Sequence, residues 1–149
     1  MNKIRLTRHF TFEMAHALQG YDGPCSNIHG HSYKLQVTII GEPLQDKTHP
    51  KHGMVLDFGD LKKLVQTILL DDLDHALLLR NDNDPELTKT LQKLHHKLVL
   101  TYYQPTCENM LLDFKEKLRN SMPANVMLHS LKLWETQNSF AEWFASDEL

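Results

Sequence analysis

The N-terminal third of the chain alternates. Between Ile4 and Ala15, Phe10, Phe12 and Met14 fall on one side of an extended backbone, the pattern of a half-buried strand. A loop with Gly20, Gly23 and Pro24 follows. From His31 to Ile40, Tyr33, Leu35, Val37 and Ile39 share one face while Lys34, Gln36 and Thr38 share the other, predicting a second strand that ends at Gly41-Glu42-Pro43. The polar residues 44–52, with Pro50 among them, predict a loop. Met54 to Phe58 reads as a short extended piece carrying Asp57, a helix N-cap. Leu61, Leu64, Val65, Ile68 and Leu69 then recur at helical spacing, and Asp71-Asp72-Leu73-Asp74-His75 closes that helix. A weaker stripe over 86–100 suggests another helix. Pro105-Thr106 opens the next, with Thr106 as its cap, Met110, Leu111, Phe114 and Leu118 on one face, and Ser121-Met122-Pro123 as its end. Val126 to Trp134 and Ser139 to Phe144 predict two further strands. No repeat, low-complexity tract or linker interrupts the series. The expectation is one α+β domain over residues 1–149, a four-stranded antiparallel sheet with two main helices on one face.

Composition changes this picture in one respect. The apolar fraction of 41% and charged fraction of 23% are those of an ordinary globular domain. A net charge of −3, with no Lys/Arg-rich run, gives no electrostatic case for a nucleic-acid partner. No segment approaches the roughly 18 apolar residues of a membrane helix, no secretory signal is legible, and two cysteines fit a reducing cytoplasm. Histidine stands out: ten of 149 residues, so metal or proton chemistry has to be considered.

His29 and His31 point to the same side of the second strand, roughly 6.6 Å apart along it. His16 continues the face of Phe10, Phe12 and Met14. If the two strands pair as a hairpin, it lies beside the His29/His31 end, and Gly30 leaves the backbone between those two free to turn. Three imidazoles on one Zn²⁺ leave a fourth position open, as in a catalytic rather than a structural site. The bland alternative is a set of polar histidines at a sheet edge. Cys25, four residues before His29, falls in the loop over this site. It reads as a fourth ligand, a nucleophile or a base, or else as a small buried apolar residue. Asp74-His75 offers a carboxylate that can orient an imidazole, or simply two polar residues at a helix end. Glu108 in a helix first turn suits the macrodipole. Glu135 ends an apolar strand and needs a donor, either an amidine-like heterocycle or an arginine. His9, His49, His52, His95, His96 and His129 read as surface or structural histidines.

Six blocks together resemble one family. They are Phe12-Glu13-Met14-Ala15-His16, Cys25-Ser26-Asn27-Ile28-His29-Gly30-His31-Ser32-Tyr33, Gly53-Met54-Val55-Leu56-Asp57-Phe58, Leu73-Asp74-His75, Pro105-Thr106-Cys107-Glu108-Asn109 and Glu135-Thr136. In this order they resemble the 6-pyruvoyl-tetrahydropterin synthase / 6-carboxy-tetrahydropterin synthase family. The resemblance implies the tetrahydropterin-synthase fold (T-fold), in trimers usually stacked into hexamers with active sites between subunits. It implies Zn²⁺ on His16, His29 and His31, Cys25 as the proton-abstracting base, and His75 with Asp74 as the other proton-transfer pair. Glu135 would anchor the pterin amidine and join the charge relay, helped by Thr106 and Glu108. The implied substrate is 7,8-dihydroneopterin triphosphate. The compact Cys-x3-His-Gly-His spacing and Asp57-Phe58 look more like the branch that releases acetaldehyde and makes 6-carboxy-5,6,7,8-tetrahydropterin for queuosine than like the 6-pyruvoyl branch. An aldolase-like third branch replaces the Cys with Glu, which Cys25 disfavours. Three departures stand out: Leu77-Leu78-Leu79-Arg80 where the family has Leu-Asn, and longer segments at 43–52 and 85–104. A zinc-stabilised pterin-binding scaffold is the non-enzyme alternative; it would need the three histidines but neither Cys25 nor Asp74-His75.

Overall fold

The computed structural model describes residues 2–94 and 97–148, so His95 and His96, read above as surface or structural, lie outside the described residues. Strands β1 (Ile4–His16) and β2 (His29–Gly41) form the predicted antiparallel hairpin. Its register sets Phe12 opposite Tyr33 and His16 opposite His29. Strands β3 (Ala76–Arg80), β4 (Leu98–Thr101), β5 (Val126–Trp134) and β6 (Phe140–Phe144) complete one sheet in the order β4-β3-β1-β2-β5-β6.

The expected four-stranded antiparallel sheet is therefore corrected to a six-stranded mixed one. β3 runs parallel to β1, and β4 parallel to β3. The physical reason is legible afterwards. Leu77-Leu78-Leu79 is an unbroken apolar run, typical of a strand buried on both faces, and it lacks the alternation that reveals a half-exposed one. The segment 86–100, expected to be a helix, divides. Helix α2 (Pro85–Lys93) is capped by Asp84, whose side chain accepts from Glu86 N–H at 2.9 Å, and the chain re-enters the sheet as β4.

The other two helices match expectation. Asp57 caps α1 (Phe58–Val65) through Gly59 N–H at 2.6 Å. Thr106 caps α3 (Cys107–Arg119) through Asn109 N–H at 3.2 Å. α1 continues through a wider π-helical stretch, Gln66–Leu70, into a last turn at Asp71–Leu73. Both helices bury their apolar stripes on one face of the sheet, where Leu61, Val65, Met110 and Phe114 meet Leu35 and Leu131 in a continuous core. α2 buries nothing fully and stands outside it. Of the remaining histidines, His9, His49 and His52 are exposed, and His129 is half-buried on β5, where its Nε2 accepts from Arg5 at 2.9 Å.

Two features position the site. The ligand end of the hairpin is the end where β1 gains β3, which pairs only with Met14 to His16. Below it, residues 4–13 of β1 have no strand on their outer edge among the described residues. The longer loop 43–52 sits at the opposite end of β2, tied back on itself by Gly53 N–H to Leu44 C=O at 2.8 Å.

Candidate metal centre and cavity

The hairpin register brings the three predicted ligands together. One ring nitrogen from each of His16, His29 and His31 lies within 4.8 Å of the others. Gly30 continues the strand rather than turning it; a Cβ there would stand 3.3 Å from the Met14 carbonyl.

Backbone carbonyls fix how two of the rings present themselves. His16 is 1% exposed, and its Nδ1 lies 2.7 Å from Pro105 C=O. His29 Nδ1 lies 2.7 Å from Asn27 C=O. A carbonyl can only accept, so both Nδ1 atoms carry a proton, and in a neutral ring the Nε2 is then a bare lone pair. Those two lone pairs face each other at 3.1 Å. Between two neutral rings that contact is repulsive unless a proton or a metal ion lies between the two nitrogens. The third ring adds to the case: His31 Nε2 is buried, makes no hydrogen bond, and lies 3.3 Å from Glu135 Oε1 without hydrogen-bonding geometry. Burial holds the imidazoles of His16 and His31 below the ordinary histidine value, against the opposing pull of Glu135. Neutral rings are what a metal requires. Three nitrogen donors with carbonyls behind two of them suit Zn²⁺ in ligand type and in outer-shell support.

A cavity of about 330 Å³ opens beside His16, lined among others by Cys25, Thr106, Cys107, Glu108 and Glu135. Cys25 is held in a one-turn helix, Pro24–Ser26, tied to the end of the hairpin by Leu18 N–H to Cys25 C=O at 2.9 Å. Thr106, Cys107 and Glu108 enter together at the start of α3. Glu135 follows β5, its backbone N–H bonded to Ser139 C=O at 3.1 Å and its side chain 24% exposed. All the predicted substrate contacts thus share one cavity with the predicted base.

Asp74 and His75 do not join them. His75 occupies the left-handed region, at φ 64°, which is uncommon outside glycine. β1 holds it there: His75 N–H donates to Glu13 C=O at 2.6 Å, and Glu13 N–H donates to Asp74 Oδ1 at 2.9 Å. That carboxylate lies 3.1 Å from His75 Nδ1, so the expected orienting pair is formed, with side chains 42% and 76% exposed. It borders a second cavity, lined by Glu13, Gly30, His31 and Ser32, rather than the one containing Cys25.

Sequence reasoning passed over several groups of the site. Cys107 lies between two residues it named, with its Sγ 3.3 Å from Leu133 C=O and its thiol pushed up to about 11 by burial. It therefore stays protonated. Tyr21, Ser139 and Phe140 also line the first cavity, and no spacing rule points to them. The orienting carbonyls of Pro105 and Asn27 leave no side-chain signal at all.

Imidazoles whose nitrogens converge beside a thiol- and carboxylate-lined cavity fit a class, that of enzymes working on a small molecule at a site able to hold a metal. The family model for 6-pyruvoyl tetrahydropterin synthase matches residues 5–146, and the chain belongs to that family. It is 38% identical to the 6-carboxy-5,6,7,8-tetrahydropterin synthase of Haemophilus influenzae over 142 residues, covering 94% of this chain and 98% of that protein. The solved 6-pyruvoyl tetrahydropterin synthase of Caenorhabditis elegans superposes with a TM-score of 0.67 at 28% identity, covering 97% of each chain. An uncharacterised protein of Wolinella succinogenes shares the fold at a TM-score of 0.78 and 21% identity, over 97% of this chain and 99% of its own. The chain is an enzyme of this family, and the scaffold alternative falls away.

Proposed function

We propose that the chain is a zinc-dependent lyase that converts 7,8-dihydroneopterin triphosphate to 6-carboxy-5,6,7,8-tetrahydropterin, releasing acetaldehyde and triphosphate, in the route to queuosine. One observation carries the reading. The Nε2 atoms of His16 and His29 face each other at 3.1 Å beside a cavity that also holds two thiols and two carboxylates. His16, His29 and His31 hold the ion. When bound, zinc supplies Lewis-acid polarisation of the substrate's side-chain hydroxyls, which makes a neighbouring C–H more acidic.

The chain's own groups do the rest. Cys25, as thiolate, takes the proton from that C–H. Glu135 presents two carboxylate oxygens to the pterin amino group and adjacent ring N–H, a matched two-donor edge. Thr106 and Glu108 border the same wall and assist. His75, oriented through Nδ1 by Asp74, carries the other proton. Because the pair opens on a separate cavity, it serves the Cys25 cavity of a neighbouring subunit. The bare outer edge of β1 and the free edge of β6 supply the means, since unpaired edges recruit strands. A trimer, alone or stacked into a hexamer, closes both. The working compartment is the cytoplasm.

The test is product analysis by mass spectrometry after incubating zinc-loaded protein with dihydroneopterin triphosphate. We expect 6-carboxy-tetrahydropterin and acetaldehyde. Accumulation of 6-pyruvoyl-tetrahydropterin would move the chain to the sister reaction, and recovery of unchanged substrate would overturn the assignment.

A further inference from the structure

Among the described residues, two buried side-chain polar atoms have no hydrogen-bond partner: His31 Nε2 and the hydroxyl of Tyr33. They belong to residues two apart on β2, so their side chains share a face. The metal accounts for the first. The second has no account in the chemistry assigned so far.

Tyr33 sits one rung further into the core than His31. Its ring stacks on Phe12 with centroids 5.2 Å apart and planes 9° from parallel. It lies edge-on to the rings of His31 and His16, at 5.5 Å and 6.2 Å. Its exposure is 0%. A phenylalanine would keep this stacking and remove a hydroxyl whose burial is unfavourable while unpaired. The ring therefore does not explain the oxygen. A phenol is a hydrogen-bond donor at neutral pH.

Resting on the three-histidine reading above, we propose that Tyr33 is a positioning residue of the metal centre. Its O–H meets an oxygen, from water or from the substrate side chain, that enters together with the ion. The hydroxyl is then unsatisfied only in the empty protein, and its hydrogen bond fixes the orientation of that oxygen beside Cys25.

The experiment compares the wild-type chain with Tyr33→Phe, each stripped by chelator and then reloaded with zinc. Melting temperature is read in both forms, zinc affinity by competition with a chromophoric chelator, and turnover on the loaded proteins. Metal-free Tyr33→Phe should melt at or above metal-free wild type, since it lacks the orphaned group. The rise in melting temperature on adding zinc should be smaller in the variant. kcat should fall roughly tenfold or more with KM little changed, as when one preorganised donor is removed. Equal zinc-induced rises together with unchanged kcat would overturn the role of Tyr33 while leaving the metal centre standing. A wild-type chain that takes up no zinc would overturn both readings.

Discussion

Cys25 and Cys107 line one cavity in different settings. The Cys107 thiol is held up near 11 by burial and occupied by a backbone carbonyl, whereas Cys25 sits half-buried in the one-turn helix Pro24–Ser26. Cys25→Ala should therefore keep about one zinc per chain while turnover drops by roughly 10²–10⁴; loss of the metal would make Cys25 a ligand instead. Glu135→Gln separates recognition from coordination in the same way. Zinc content should hold, while substrate affinity weakens roughly tenfold or more, the factor that follows from losing about 1.4 kcal/mol. Unaltered binding in calorimetry would reduce Glu135 to a structural role. At this scale much was legible. His16, His29 and His31 announce themselves because a hairpin mirrors positions about its turn. What stayed hidden is done by backbone atoms: the carbonyls of Pro105 and Asn27 choose which nitrogen of His16 and His29 is free. Main-chain groups carry no letter in the sequence.

Elements declare themselves when one side is wet. β1, β2 and β5 alternate because one face of each is buried and the other is not, and the caps Asp57 and Thr106 mark their helices from the first turn. β3 gave no such contrast, because its consecutive residues Leu78 and Leu79, which point to opposite faces, are both buried. The setting of Asp74 and His75 was equally invisible. It depends on a left-handed residue held by two bonds to Glu13, some sixty positions upstream in the chain. The C-terminal turn, Ala145–Asp147, is fastened differently, through charge. Glu148 accepts from Lys115 and Arg119 on α3 and from the Trp143 indole, and the two cations hold its carboxyl down to about 2. A depressed folded value means the stabilisation is complete above the ordinary value of 4.5 and is lost as pH falls from there towards 2. Glu148→Gln should accordingly flatten the decline in melting temperature between about pH 6 and pH 3, and added salt should narrow the difference because the group is exposed. Parallel declines for the two proteins would show that the clasp carries no stability.

On the scale of the whole molecule, the two cavities have separate linings, Cys25 in one and His75 in the other. If neighbours complete each other, Cys25→Ala and His75→Ala chains, each inactive alone, should regain activity when unfolded and refolded together. Random assembly of such head-to-tail contacts gives about a quarter of the wild-type sites; no recovery would mean that each chain completes its own site. The same arrangement has a consequence for inheritance. A chain that folds and assembles but carries both lesions disables the site it receives into and the site it donates to, which belong to two different neighbours. Such an allele, co-expressed with a sound one, would silence more sites than its share of the chains, and would act dominantly where a chain unable to fold would merely halve the supply.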